Sequence, residues 1–251
     1  MDATPIPPEF FDRDPQVAAC ALLGAVLSHR VDGVWLRARI IETEAYYRWD
    51  KASHASLGYT EKRRALFAPP GTIYMYYARG GDSFNVSCRG EGNAVLVKAA
   101  VPQALPGEDP AALAEALRRR NPLPSGAPRA ASRLCSGQTL LCRALGLRVP
   151  DWDGRNFAPG RLELLDAGHA PARVIRTTRL GIPPGRDGHL PFRFVDAAHA
   201  AQATRNPLRR GSAQGRDYTL LPGPGAPGGA FRGWEALLEG EGMGFEGNKQ
   251  G

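Results

Sequence analysis

The sequence predicts a mixed fold of α-helices and β-strands, and three observations lead to that prediction. Two Asp-Pro pairs, starting at Asp14 and Asp109, place a capping carboxylate before a proline, which is a common way for a helix to begin. Asp32-Gly33 lies between two segments of strand composition and is typical of a tight hairpin turn. With 251 residues, of which 43% are hydrophobic, the chain can bury a full core without disulfides or a structural metal.

The secondary-structure elements follow in chain order from the same signals. Helical composition predicts helices at 16–23, 110–120 and 138–145, and Gly24 and Gly146 end the first and the third. Segments rich in β-branched and aromatic residues and separated by turn residues predict strands at 26–30, 34–45, 72–78, 84–89, 94–101, 162–165, 172–180 and 192–195.

The composition changes at about residue 205. Segment 221–230 consists almost entirely of Pro, Gly and Ala, and it offers little apolar surface to offset the entropy lost on ordering. We therefore predict one folded domain over 1–204 and a mobile, Gly/Pro-rich tail over 205–251. Within that tail, residues 234–238 have the composition of a short helix that could dock on the domain.

Composition also predicts the cellular location of the protein and the state of its cysteines. The chain contains no run of eighteen apolar residues and begins with a Pro-rich segment unlike a secretory signal, so we expect no membrane partner and a cytoplasmic location, at the nucleoid if the source is bacterial. Reduced thiols rather than a zinc site are expected, because no C-x-x-C pair occurs among the four cysteines, Cys20, Cys88, Cys135 and Cys142.

Charge is distributed unevenly along the chain. The net charge is +7, and the segment 118–216 alone contains 18 arginines, no lysine and 6 acidic residues, a local net charge of +12. Arginine guanidinium groups match phosphate oxygens, so this bias favours a polyanionic partner such as nucleic acid. The alternative is an arginine-rich but merely solvated surface.

Two acidic residues on one predicted strand are the first candidates for chemistry. Strict alternation from Leu36 places Glu42 and Glu44 on the same face as the apolar residues Leu36, Ala38 and Ile40. Two carboxylates at the rim of a core would be desolvated and would repel each other, which raises the pKa of at least one and suits a general base or acid. In the alternative, the strand ends before Glu42, or each acid pairs with an arginine.

Aromatic residues supply the second candidate feature. Tyr74 and Tyr76 share one face of a predicted strand, Tyr77 lies on the other, and His54 precedes them in a loop. Two such tyrosines could form a stacking platform for a nucleobase. The simpler interpretation is core packing, which we favour for Tyr74, and a lone histidine is commonly structural.

In combination, these segments resemble the alkyladenine (3-methyladenine) DNA glycosylase family. The matching motifs are I-I-E-T-E-A-Y at 40–46, His54, P-G-T-I-Y-M-Y at 70–76, N-V-S at 85–87, V-L-V-K-A-A at 95–100 and L-C-S-G-Q-T-L-L-C-R-A-L at 134–145. Their order and approximate spacing match too. The resemblance runs from about Phe10 to Val195 and leaves the tail outside.

The resemblance implies an α+β fold, a single domain with a curved, largely antiparallel sheet flanked by helices. It also implies a monofunctional purine DNA N-glycosylase of base excision repair that acts as a monomer on the minor groove of double-stranded DNA. Such an enzyme flips an alkylated or deaminated purine nucleotide out of the duplex, since a stacked base is inaccessible, and leaves an abasic site. Glu44 would be the general base for water. No cofactor or metal is expected, because a cationic base is already a good leaving group.

By resemblance, five residues form the base-binding pocket. Tyr46 and His54 sandwich the flipped base, Tyr76 stacks on it, and the backbone around Ala52 faces its edge. Asn85 matches the asparagine that crowds the exocyclic amine of normal guanine and would therefore act as a selectivity gate.

This chain departs from the family pattern in three places. Arg79 falls at the position of the side chain that wedges into the duplex, in a hairpin one residue shorter, and Phe84 is the other candidate. Lys98 stands where an arginine is frequent and supplies a point charge to DNA or water without a fork. The loop between Glu44 and His54 is one residue shorter than in some members.

Other functions fit part of the pattern. A non-catalytic protein that binds lesions or single strands would share the charge and the tyrosines without requiring Glu44. A suicide alkyltransferase would use Cys88 or Cys135, but no Pro-Cys-His motif is present, and a β-lyase would need Lys98 as nucleophile. The sequence does not rank 3-methyladenine, 7-methylguanine, hypoxanthine and ethenoadenine as substrates, because pocket volume decides among them.

Overall fold

One antiparallel sheet of ten strands dominates the part of the chain that the computed structural model describes, residues 3–78, 80–227, 231 and 233–239. The strands are β1 (Thr4–Pro5), β2 (Val26–Val31), β3 (Val34–Tyr46), β4 (Ile73–Ala78), β5 (Gly81–Ser87), β6 (Ala94–Pro102), β7 (Leu162–Asp166), β8 (Arg173–Thr177), β9 (Arg193–Asp196) and β10 (Tyr218–Pro222). The helices are α1 (Pro15–Ala21), α2 (Pro110–Arg120), α3 (Gln138–Leu145), α4 (Val149–Trp152) and α5 (Trp234–Glu239).

The long strand β3 is the centre of this sheet. The main strand order is β1-β7-β2-β3-β6-β5-β4. Along one edge, β3 pairs first with β2 and then with β9, while β6 runs along its other edge. Strands β8 and β10 extend the sheet beyond β9. This architecture confirms the predicted α+β class with an antiparallel sheet.

Local signals in the sequence fix several element boundaries as predicted. Asp14 and Asp109 cap α1 and α2, each accepting a 2.8 Å hydrogen bond from the backbone nitrogen two residues later. Helix α3 ends at Gly146, whose φ of +68° is the left-handed conformation that glycine adopts without strain. The turn between β2 and β3 uses positive φ at Asp32 and Gly33, as the hairpin signal predicts.

A β-bulge in β3 changes which face each side chain occupies. Ile40 pairs with Ala100 and Glu42 with Ala99, so Ile41 is an extra residue in the ladder. Before the bulge, Leu36, Ala38 and Ile40 belong to the main core; beyond it, Ala45 and Tyr47 do. The predicted sharing of one face by the apolar residues and the two glutamates is therefore wrong, because an inserted residue reverses the alternation.

The chain after residue 204 differs from the expected mobile tail. Strand β10 is hydrogen-bonded to β8 over all five of its residues. Trp234 and Leu238, in the predicted short helix α5, are buried in the main core, and α5 packs against α1. Pairing with a distant strand therefore outweighs the unfavourable local composition. Residues 240–251 of the predicted tail lie outside the described residues.

Three apolar clusters support the sheet in the described residues, the smallest of them formed by Ile175, Val195, Ala200 and Ala203. The main core joins α1, α2 and α3 to the sheet. A smaller cluster of Ala55, Ala65, Leu66, Tyr74 and Ala94 lies under the loop that follows β3. None of the helices in the described ranges has both the length and the apolar character that crossing a bilayer requires.

Candidate active site

The second half of β3 holds Glu44 in a fully buried position. The Tyr46 hydroxyl donates to Glu44 Oε2 at 2.7 Å, and the backbone nitrogen of Leu180 donates to Oε1 at 3.3 Å. The Lys98 ammonium lies 3.4 Å from each carboxylate oxygen. These three donors fix the carboxylate in one orientation, and the Lys98 ammonium pairs directly with its charge.

Glu42, two residues earlier, has separate partners. Its Oε1 accepts a 2.6 Å hydrogen bond from Arg193 Nε, and its Oε2 accepts a 2.7 Å hydrogen bond from the backbone nitrogen of Thr204. Both members of the Arg193 pair are buried. Of the arrangements considered from the sequence, the structure therefore has each acid paired with a basic residue, although the base paired with Glu44 is lysine.

A cavity of about 750 Å³ opens beside Glu44. Tyr46 and Lys98, the two side chains that contact the carboxylate, form part of its lining. The cavity is also lined by the predicted pocket residues Ala52, His54, Tyr76 and Asn85 and by Tyr74. The predicted pocket residues are thus brought together around one space, with Glu44 directly behind its wall.

Aromatic rings make one wall of this cavity. The His54 ring lies 4.4 Å from the Tyr76 ring at 64°, and Tyr74 stacks on Tyr76 at 5.6 Å. His54 Nδ1 is 2.9 Å from the Tyr74 hydroxyl. Burial, helped by the positive charges of Arg63 and Arg186, lowers the pKa of His54, so the imidazole is neutral at pH 7.

The Tyr46 phenol is kept as a hydrogen-bond donor. Burial first, and then the adjacent Glu44 carboxylate, raise the pKa of Tyr46 well above its ordinary value. On its other side, the guanidinium of Arg179 lies 4.6 Å from the Tyr46 ring centroid, a cation–π contact. The ring is therefore held between an anion at its hydroxyl and a cation over its face.

A buried ion pair behind the aromatic wall connects two parts of the site. Arg179 pairs with Asp50, with Nη2 3.0 Å from Oδ1, and neither side chain is exposed. Asp50 Oδ1 also accepts a 2.9 Å hydrogen bond from the backbone nitrogen of Ala52. The pair thereby links the ring of Tyr46 to the loop that carries Ala52 and His54. Sequence reasoning missed it, because 129 residues separate the two partners.

The remaining predicted residues have the following positions. Asn85 is nearly buried, and its Nδ2 donates to the Tyr74 carbonyl at 3.1 Å. Lys98 donates to Gln138 Oε1 at 2.9 Å. Arg79 lies outside the described residues. Phe84 is 1% exposed and packs against Phe157, so its assignment as a possible wedge is wrong, because a wedge must project from the surface.

Two further residues at the site were not singled out from the sequence. Gln138 binds Lys98, and Leu180 contributes the backbone donor to Glu44. Gln138 lies inside the L-C-S-G-Q motif, so the motif itself was a signal for it. Leu180 had no signal, because a backbone donor carries no residue preference.

The described residues contain no group of three or more His, Cys, Asp or Glu arranged to hold a metal ion. All four cysteines are free and buried. Burial raises the pKa of Cys88 above its ordinary value and that of Cys135 to about 12. A buried thiol of raised pKa cannot reach DNA as a nucleophile, which argues against an alkyltransferase.

A carboxylate behind an aromatic cavity, in an arginine-rich domain, fits the class of DNA glycosylases, and the comparisons with known proteins show that class. Residues 9–200 match the family model described as methylpurine-DNA glycosylase. A protein of Pseudomonas savastanoi pv. phaseolicola is 61% identical over 216 residues, 86% of this chain and 96% of its own length. A Pseudomonas aeruginosa protein is 60% identical over 220 residues, 88% of this chain and 92% of its own. Both are provisionally named 3-methyladenine DNA glycosylase.

A mammalian relative is more distant. The Mus musculus DNA-3-methyladenine glycosylase is 36% identical over 211 residues, which are 80% of this chain and 57% of the mouse protein. The chain belongs to the methylpurine-DNA glycosylase family. This confirms the resemblance found in the sequence and the prediction of an enzyme that hydrolyses N-glycosyl bonds in DNA.

Proposed function

We propose that the chain removes alkylated and deaminated purines from double-stranded DNA and leaves an abasic site, with Glu44 as the general base for water. It would act as a monomer from the minor groove, without a cofactor. The observation that carries this proposal is the position of Glu44, buried directly behind the wall of the aromatic cavity. A base that reaches this cavity must first leave the helix stack, because the duplex shields its glycosidic bond.

In the proposed mechanism, Glu44 would also bind the attacking water molecule. A carboxylate offers about four acceptor sites, and Tyr46, Leu180 and Lys98 supply three donors. A water at the cavity wall near Lys98 would occupy the fourth acceptor site and transfer a proton to Glu44 as the base departs. The ionised carboxylate would also stabilise positive charge that develops on the sugar.

The aromatic wall would bind the extruded purine. Stacking of a base on an aromatic side chain contributes about 1–3 kcal/mol, which offsets the few kcal/mol that flipping costs. Tyr46, His54 and Tyr76 would supply the rings, and the backbone around Ala52 would face the edge of the base. Asn85 would crowd the amine of normal guanine. The net charge of +7 favours binding of the DNA backbone.

A single-turnover excision assay tests the role of Glu44. The protein is incubated with duplexes that contain one 3-methyladenine or one hypoxanthine, and free base and alkali-labile sites are measured. We expect Glu44→Gln to lower the rate by about 10²- to 10⁴-fold, the usual contribution of a general base, while DNA affinity is retained. Glu91→Gln, a change at an exposed glutamate, is the matched control and should leave the rate unchanged.

Each outcome has a distinct meaning. Undiminished excision by Glu44→Gln would refute the proposed general base. Release of 3-methyladenine without hypoxanthine would restrict the substrates to alkylated purines. Binding of lesions with no free base at all would favour the non-catalytic alternative, and loss of activity in EDTA would contradict a reaction without metal.

A further inference from the structure

A second, arginine-lined cavity adjoins the first. It measures about 230 Å³, and its lining includes Arg205 and Arg209 from a segment that lies beyond the family match at 9–200. Leu180 lines both cavities, and Thr204, which lines the first, directly precedes Arg205. We call residues 205–217 the arginine loop.

Two of the four arginines that line this cavity are already paired. Arg193 binds Glu42, as described above. Arg216 donates to Asp217 Oδ2 at 2.8 Å, and this hydrogen bond is the main reason that the pKa of Asp217 is lowered, with a weaker contribution from Arg209. The Asp217 carboxylate in this cavity is therefore already paired with a cation, the Arg216 guanidinium.

The other two arginines carry charge that no close partner neutralises. The Arg205 and Arg209 side chains are exposed and make no hydrogen bond or ion pair with any residue in the described ranges. Ser212 and Thr177, which also line the cavity, add hydroxyl groups. Guanidinium and hydroxyl donors around a small concavity are the groups that bind phosphate oxygens.

Both ends of the arginine loop are fixed to the sheet. At its start, Glu42 accepts from the Thr204 backbone nitrogen, and Arg193 Nη2 donates to the Arg205 carbonyl at 2.7 Å. At its end, Thr177 Oγ1 donates to the Asp217 carbonyl at 2.7 Å, and β10 follows. Because the loop is held at both ends, its backbone presents Arg205 and Arg209 next to the catalytic cavity, and the ordering cost on binding is mainly that of the two side chains.

We propose that the arginine loop binds the phosphate backbone of the DNA strand next to the flipped nucleotide, with Arg205 and Arg209 as the contacting residues. This inference rests on the proposed function, because an extruded nucleotide stays attached to its strand and its flanking phosphates must pass the rim of the cavity. Leu180 forms that rim between the two cavities. The phosphate site would therefore add backbone affinity from a part of the chain outside the family match.

The salt dependence of DNA binding tests this proposal. Binding of the full chain to a duplex with a tetrahydrofuran abasic-site analogue is measured at several NaCl concentrations. Each phosphate contact contributes about 0.9 to the slope of log K against log salt, so we expect Arg205→Gln/Arg209→Gln to lower the slope by about 0.9 to 1.8. The matched control is Arg210→Gln, an exposed arginine of the same loop that does not line the cavity.

Two results would overturn the role of the loop. One is an unchanged slope in the double variant, and the other is a decrease in Arg210→Gln equal to that in Arg205→Gln alone, which would indicate general charge attraction. Excision of 3-methyladenine by the wild-type protein is measured in parallel. If the wild type releases the base and the slopes are unchanged, only the loop proposal fails; absence of release contradicts the proposed function instead.

A chemical substitution in the DNA identifies the ligand. A neutral methylphosphonate is placed at each phosphate near the lesion in turn. We expect one or two positions at which the methylphosphonate weakens binding of the wild type. At those positions it should not weaken binding of the double variant, because the variant already lacks the arginine charges that would contact the phosphate. If no position behaves in this way, and millimolar inorganic phosphate raises the melting temperature of the wild type alone, the cavity is a site for a free anion and the proposal is wrong.

Discussion

The buried pair of Arg179 and Asp50 makes a quantitative prediction for the variant Asp50→Asn. Asparagine has nearly the same shape and can still accept the hydrogen bond from Ala52. It removes the negative charge, however, and leaves the Arg179 guanidinium, which lies between the Tyr46 and Phe192 rings, without the carboxylate that pairs with it directly. The variant therefore isolates the effect of the charge from that of packing.

The size of the effect follows from the burial of the pair. Breaking a buried ion pair on one side costs about 3–5 kcal/mol. For a chain of 150–250 residues, 1 kcal/mol shifts the melting temperature by about 2–4 °C, so Asp50→Asn should lower it by about 6–20 °C. The assay is thermal unfolding followed by circular dichroism, with urea unfolding at 25 °C as an independent measure of the free energy of unfolding.

The exposed pair of Arg48 and Glu91 provides the control. Its side chains are 55% and 70% exposed, and exposed pairs contribute only about 0.2–1 kcal/mol. Glu91→Gln should thus leave the melting temperature within about 4 °C of the wild type. An Asp50→Asn variant that melts as Glu91→Gln does would refute the argument, because the uncompensated charge would then have found another partner.

Two other predictions concern buried titratable groups. Burial lowers the pKa of His29, whose Nε2 accepts from Trp152 Nε1 at 3.3 Å, so the histidine is neutral when folded; the free energy of unfolding should decrease as the pH falls below about 6.5. Urea unfolding between pH 5 and 8 measures this, and His29→Gln should reduce the pH dependence; an equal dependence in both proteins would contradict the role of His29. Because all four thiols are buried, none should react with DTNB in the native protein and all four should react in guanidinium, whereas rapid native labelling would contradict their burial.

Signals confined to a few neighbouring residues predicted the structure well. The caps at Asp14 and Asp109, the stop at Gly146 and the turn at Asp32-Gly33 each depend on the conformation of two or three residues, and each is present in the structure. The strand segments were also found, because their composition reports the half-buried environment of a sheet.

Features that depend on distant partners were not predicted. The bulge at Ile41 arises from how β3 pairs with β6, and β10 forms because β8 offers an edge far away in sequence. At the site, the motif resemblance predicted that Tyr46, His54 and Asn85 share one pocket, and all three line the same cavity. Their roles in base recognition and catalysis stay predictions. The pairing of Arg179 with Asp50 could not be read from either segment alone.

The bulge at Ile41 separates a part of β3 that packs in the core from a part that contributes to the site. Leu36, Ala38 and Ile40 pack in the core, whereas further along the strand Glu44 lies buried behind the wall of the cavity and Tyr46 lines the cavity. Substitutions at Leu36, Ala38 or Ile40 should therefore act on the stability of the core, and substitutions at Glu44 or Tyr46 should act on the site, although Ala45 between them still packs in the core. A change in the length of the strand would disturb both at once, because a shift by one residue moves every following side chain to the opposite face of the sheet.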